Sequence, residues 1–136
     1  MNRNKSYLTH GGVVHSFSDD AESRDRILAE TEFYIGVNGC SLKTEENLKV
    51  AAGIPLSRLM LETDCPWCEI KATHAGYKMI QTTFETKKDP KKWEEGFCVK
   101  NRSEPCHIVQ VAEVMAKIKG LYTSFFSIKI ITHWFA

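Results

Sequence analysis

The ten residues Leu59–Cys68 read LMLETDCPWC and offer two kinds of chemistry. Cys65 and Cys68 form a C-x-x-C unit, the spacing of a redox dithiol or of half a zinc site. Just before them a short, largely apolar run ends on an acid, Asp64. A redox dithiol places its first cysteine at a helix amino terminus. Here the pair follows a strand directly and no helical pattern starts at Cys68. A structural zinc site needs a second ligand pair. Cys98 and Cys106-His107 are available, but their spacing matches no common ribbon or knuckle. The sequence favours thiols that pack a loop.

Asp64 has two readings of equal standing. It caps the turn that follows, as Asp commonly does, or it is a catalytic or metal-binding carboxylate. His15, in GGVVHSF, is open in the same way: a lone histidine at a strand end is a hydrogen-bonded structural residue or a ligand. Together they suit a hydrolytic metal centre, which needs imidazole and carboxylate donors converging from neighbouring strands. Arg102, in KNRSEP, either grips a phosphate with its planar fork or pairs with Glu104 to anchor its loop. His10, His74, His107 and His133 have weaker claims.

Positioning these residues requires a scaffold. GGVVHSFS reads as a strand, and SDDAESRDRILAE as a helix capped by Ser18 or Asp19, with Ile27 and Leu28 facing inward. EFYIGVNG is a second strand that ends at Asn38-Gly39. KTEENLKVAAG is a helix capped by Thr44 and stopped by Gly53. SRLMLETD is a third strand. A polar connection of roughly thirty-five residues follows, a length that is usually functional. EPCHIVQVAEVMAKIKG then reads as a helix with an inner stripe of Ile108, Val111, Met115 and Ile118. Strands alternating with amphipathic helices predict an α/β fold with a parallel, helix-covered sheet. In such folds ligands gather at the carboxyl ends of the strands, where His15, Asn38 and Asp64 all fall.

Composition narrows the function classes. The 136 residues are 43% apolar and 26% charged, and 18 basic against 17 acidic residues leave a net charge of +1. Any nucleic-acid contact must come from a local patch. No signal-peptide core and no membrane-length apolar run occur. The five cysteines form no disulfide framework and fit a reduced intracellular protein, cytoplasmic or nuclear.

The segments GGVVHSF, YIGVNGCSLKTEENL, LMLETDCPW, THAG and RSEPCHIVQVAEVM together resemble the TatD family of metal-dependent deoxyribonucleases, in particular its eukaryotic branch. The resemblance runs from about Gly11 to about Gly120. It implies the last three βα units of a TIM-type (β/α)8 barrel that hydrolyses DNA phosphodiesters with divalent ions, Mg, Mn or Zn. It implies that His15 is the metal ligand ending the sixth strand. Asp64 is then the ligand ending the eighth, and also orients or deprotonates the attacking water. The family's other ligands, a His-x-His, an acid and a further His on earlier strands, have no counterpart here.

Residues 1–10 then form a lead-in, 11–120 the carboxy-terminal portion of the hydrolase domain, and 121–136 a divergent tail. Three strands of eight cannot close a barrel. The expectation is therefore a truncated chain with weak metal binding and negligible nuclease activity alone. The rival is a non-catalytic fragment whose exposed strand edges pair with a complementary chain or with another copy. A weaker rival is a cysteine-based redox or zinc module.

Overall fold

The computed structural model describes residues 11–123. His10, His133, the lead-in and most of the expected tail lie outside the described residues. The elements are β1 (Val13–Val14), α1 (Ala21–Glu30), β2 (Tyr34–Val37), α2 (Glu45–Ala52), β3 (Leu59–Leu61), β4 (Thr86–Lys87), β5 (Cys98–Val99) and α3 (Ile108–Ile118). Strands β1, β2 and β3 form a parallel sheet in that order, with Val13 opposite Tyr34 and Gly36 opposite Met60. This is an arc of an α/β barrel and not a closed one.

Alternation along the strands sorts their side chains. Val14, Ile35, Val37, Leu59 and Leu61 turn to one face, where α2 and α3 cover them. Ile35, Val37, Leu42, Ile54, Leu59, Val114 and Met115 are fully buried in that core. The other face carries Val13, Gly36 and Met60, and the same parity continues into His15, Asn38, Glu62 and Asp64.

Helix starts follow local chemistry. Thr44 caps α2 by accepting from the Asn47 N–H, and Asn47 returns the bond to the Thr44 N–H. Gly53 ends the helix, as its sequence indicates. The cap of α1 is Asp20, not Ser18 or Asp19: its carboxylate accepts from Ser23 N–H at 2.8 Å, the three-residue reach of a capping side chain. The inner stripe of α3 begins later than its periodicity indicates. Residues Pro105–His107 form a tighter 3-10 turn, which turns Ile108 outward, while Val111, Val114 and Met115 enter the core.

Basic side chains tie the elements at their ends. Arg24 of α1 donates to Val50 O on α2, and Arg58 donates to Thr31 O and Phe33 O ahead of β2. Lys119, just past α3, donates to Ala52 O and Ile54 O at the end of α2. The polar connection after β3 holds short 3-10 turns and the two-residue parallel pair β4–β5. Among the described residues no helix is long and apolar enough to cross a membrane.

Candidate metal centre

His15, Glu62 and Asp64 converge at the carboxyl end of the sheet, with their ligand atoms within 4.8 Å of one another. His15 Nδ1 lies 2.9 Å from Glu62 Oε1, and His15 Nε2 lies 3.5 Å from Asp64 Oδ2. The first is a hydrogen bond. The second is too long for a strong one, and is about the separation of two ligand atoms that share one ion.

Glu62 comes from β3 and His15 from β1, so the carboxylate must cross β2, a span of roughly 10 Å between outer strands. Gly36 makes that crossing possible. A Cβ built there would sit 2.0 Å from Glu62 Oε1, so any side chain at this position would occupy the carboxylate's path. Glu62 Oε2 also accepts the Ser16 N–H at 2.9 Å, which pins both oxygens to the end of β1.

Asn38 supplies the contribution of β2. Its Oδ1 accepts the Cys40 N–H at 2.8 Å, which fixes the orientation of the amide. Its Nδ2 then donates to Asp64 Oδ2 at 2.8 Å and to Ser16 Oγ at 2.7 Å. Asn38 is completely buried with every polar atom partnered. The Asp64 side chain is thus held by Asn38 and His15, and the turn after it is closed instead by Trp67 N–H on Asp64 O. Asp64 and Ser16 both adopt positive φ, 50° and 53°. Left-handed backbone at non-glycine residues is costly and gathers at functional sites.

The electrostatics suit a cation. The hydrogen bond that His15 donates to Glu62, then the charges of Glu62 and Asp64, push the His15 pKa above its ordinary value. With His15 neutral the cluster carries two negative charges. An imidazole with two carboxylates is a donor set for a divalent ion, so the residues fit one.

The other candidates separate from this cluster. Arg102 is exposed on the connection after β5 and makes no ion pair among the described residues. Its sequence neighbour Glu104 is not its partner, because Glu104 Oε1 accepts the Val99 N–H at 2.9 Å. Ser103 packs the loop onto the site, donating N–H to Pro66 O and Oγ–H to Thr63 O. His74 is buried in a turn, its Nδ1 facing Lys71 N–H at 3.4 Å. Cys65 is exposed, and Cys68 meets Cys40 with Sγ–Sγ 2.8 Å, so the C-x-x-C residues do not pair with each other.

Glu62 escaped the sequence reading. The signal was present: two residues before Asp64, it shares Asp64's face by alternation. Its reach to His15 depends on Gly36 lying between them, which only strand order reveals.

The profile of the TatD related DNase family matches residues 1–133. The chain belongs to the TatD family. Over 116 residues this TatD chain is 46% identical to the Deoxyribonuclease Tat-D of Schizosaccharomyces pombe, a match covering 84% of the chain and 36% of that protein. Over 125 residues it is 45% identical to the Deoxyribonuclease Tat-D of Saccharomyces cerevisiae, covering 80% and 30%. The crystal structure of a TatD family hydrolase from Entamoeba histolytica superposes with TM-score 0.88 at 37% identity, over 98% of this chain and 44% of that one. These relatives place the chain in the eukaryotic branch and its fold among TatD barrels. The chain spans about a third of the length of the curated relatives it matches.

Proposed function

We propose that this TatD chain forms one side of the divalent-metal centre of a hydrolase that cleaves DNA phosphodiester bonds. The observation that carries the reading is the placement of His15 between two carboxylates, Glu62 on Nδ1 and Asp64 beside Nε2. Glu62 accepting from Nδ1–H leaves the lone pair on Nε2, the arrangement in which a histidine serves as a metal ligand with a carboxylate behind it. His15 and Asp64 would hold the ion and Glu62 would orient His15. The nitrogen and oxygen donors suit Mg, Mn or Zn.

When bound, a divalent ion supplies positive charge to a phosphate and acidifies water. The chain's own residues do the rest. Asn38 fixes Asp64 Oδ2, which leaves the other carboxylate oxygen to take a proton from attacking water. Arg102, unneutralised by Glu104 and carried on the loop that Ser103 anchors, holds a neighbouring DNA phosphate. Two direct ligands are fewer than the three that hydrolytic sites commonly use. We therefore infer that turnover needs donors beyond these three strands, and that this chain alone is inactive.

The test replaces the matching third of the Schizosaccharomyces pombe relative with residues 11–123 and measures metal-dependent cleavage of single-stranded DNA. The expected result is activity in the graft and its loss by about 100-fold or more on Asp64→Asn, at unchanged circular dichroism. An Asp64→Asn graft that cleaves at the parent rate would overturn the assignment.

A further inference from the structure

The connection between β3 and α3 gathers a second set of donors, of a different chemical kind. Cys98 stands on β5, and Cys106 and His107 stand in the 3-10 turn that opens α3. Their ligand atoms lie within 4.8 Å of one another. Cys98 Sγ is 3.7 Å from Cys106 Sγ, and Cys106 Sγ is 4.0 Å from His107 Nδ1. Two sulfurs bound tetrahedrally to one zinc, each at about 2.3 Å, stand about 3.8 Å apart. The observed spacing is that edge. Cys98 is buried and Cys106 is exposed, so the cluster has a firm base and an open approach from solvent.

The surroundings give such a site something to hold. Between Asp64 and α3 the chain has only the two-residue pair β4–β5 and 3-10 turns of at most five residues. A segment this irregular buries little apolar surface, and loop-rich pieces of that kind are often stapled by a metal. The cluster joins the last strand of the segment to the start of α3. Ser103, between the two ends, anchors the loop to Thr63 and Pro66 on either side of Asp64.

We propose that Cys98, Cys106 and His107 form a three-ligand site for a zinc-class ion, with one position open to solvent, separate from the His15–Glu62–Asp64 centre. Two thiolates and an imidazole are the donors that borderline-soft ions take in preference to magnesium. On binding, the two thiol protons leave to solvent and two metal–sulfur bonds form, with no change of oxidation state. His107 Nδ1 now accepts the Glu104 N–H at 2.8 Å. That donor passes to water when the nitrogen turns to the ion, which the half-buried position of Glu104 permits. Water completes the tetrahedron.

The experiment titrates the reduced chain with Co(II), then displaces it with Zn(II). The expected signal is one equivalent of sulfur-to-cobalt charge-transfer absorption in the near ultraviolet, with the visible bands of tetrahedral cobalt, bleached by zinc. Cys98→Ser with Cys106→Ser abolishes it, His107→Ala, which removes a direct ligand, lowers zinc affinity by more than the ~100-fold that loss of an outer-shell partner can cost, and Cys40→Ser with Cys68→Ser leaves it intact. A second measurement needs no variant: zinc protects exposed Cys106 from iodoacetamide while exposed Cys65 remains reactive. The proposal is overturned if no charge-transfer band appears, if the band survives in the Cys98/Cys106 variant, or if zinc leaves Cys106 as reactive as Cys65.

Discussion

His15 Nδ1 faces Glu62 Oε1 at 2.9 Å, and that contact orients the imidazole and favours its protonated form. In ¹H NMR the His15 ring should titrate above its ordinary 6.5, and Glu62→Gln should move it back toward that value. A raised folded-state pKa means the pairing contributes stability below the unfolded pKa and loses it as pH rises through the folded one. The Glu62→Gln change should also weaken Mn(II) binding by about 10- to 100-fold in calorimetry, as the loss of a residue supporting a ligand does. Equal Mn(II) affinity in both proteins would show that Glu62 does not support the site. Asp64 and His15 were legible in the sequence because each ends a short apolar strand. Glu62 was not, since its partner lies two strands away.

At the scale of elements, glycines decide what can approach. Gly36→Ala places a methyl group on the path of the Glu62 carboxylate, the mobile end of a side chain. The expected outcome is weakened Mn(II) binding with a melting temperature close to that of the parent. Gly39→Ala is different, because its Cβ would lie 1.9 Å from the backbone oxygen of Cys68, which cannot swing away. Urea unfolding should show a loss of about 3 kcal/mol. Thr44→Ala, which removes the cap of α2, should cost about 1 kcal/mol in the same measurement. The cap of α2 was readable because Thr44 stands alone before its helix. The cap of α1 was not, because Ser18, Asp19 and Asp20 run together and only the geometry selects Asp20.

Across the whole molecule, α3 is locked to the long connection by Glu113, whose side chain is almost fully buried. Burial pushes its carboxyl upward, but the bonds from the Thr82 hydroxyl and from the N–H groups of Gln81 and Thr82 outweigh it and hold the pKa below the ordinary 4.5. Stability from this group is therefore present above about pH 4.5 and is lost as pH falls through the lowered value. Glu113→Gln should remove about 2 kcal/mol at neutral pH, and should flatten the acid limb of a pH-dependent melting curve. An unchanged acid limb would place the acid sensitivity elsewhere. Strands β1 and β3 each present an outer edge with no partner strand among the described residues. Unpaired edges recruit other chains, so sedimentation should show association that grows with concentration; a single monomer at all concentrations would refute this.

Periodicity and caps are local properties, so the order of β1–β3 and α1–α3, the parallel sheet and the strand ends at which His15 and Asp64 stand were all legible from the residues. The two-residue pair β4–β5, read as polar loop, was too short to leave a pattern. The sequence by itself also carried the family, through several motifs in one order. Tertiary structure alone decided what those ends do together: Gly36 opens the way for Glu62, Asn38 turns Asp64 toward His15, and Cys98 meets Cys106 and His107. The first two are contacts between residues far apart in the chain, set by strand order and packing, which no local spacing encodes. The third is short in sequence but depends on how the loop between β5 and α3 folds back.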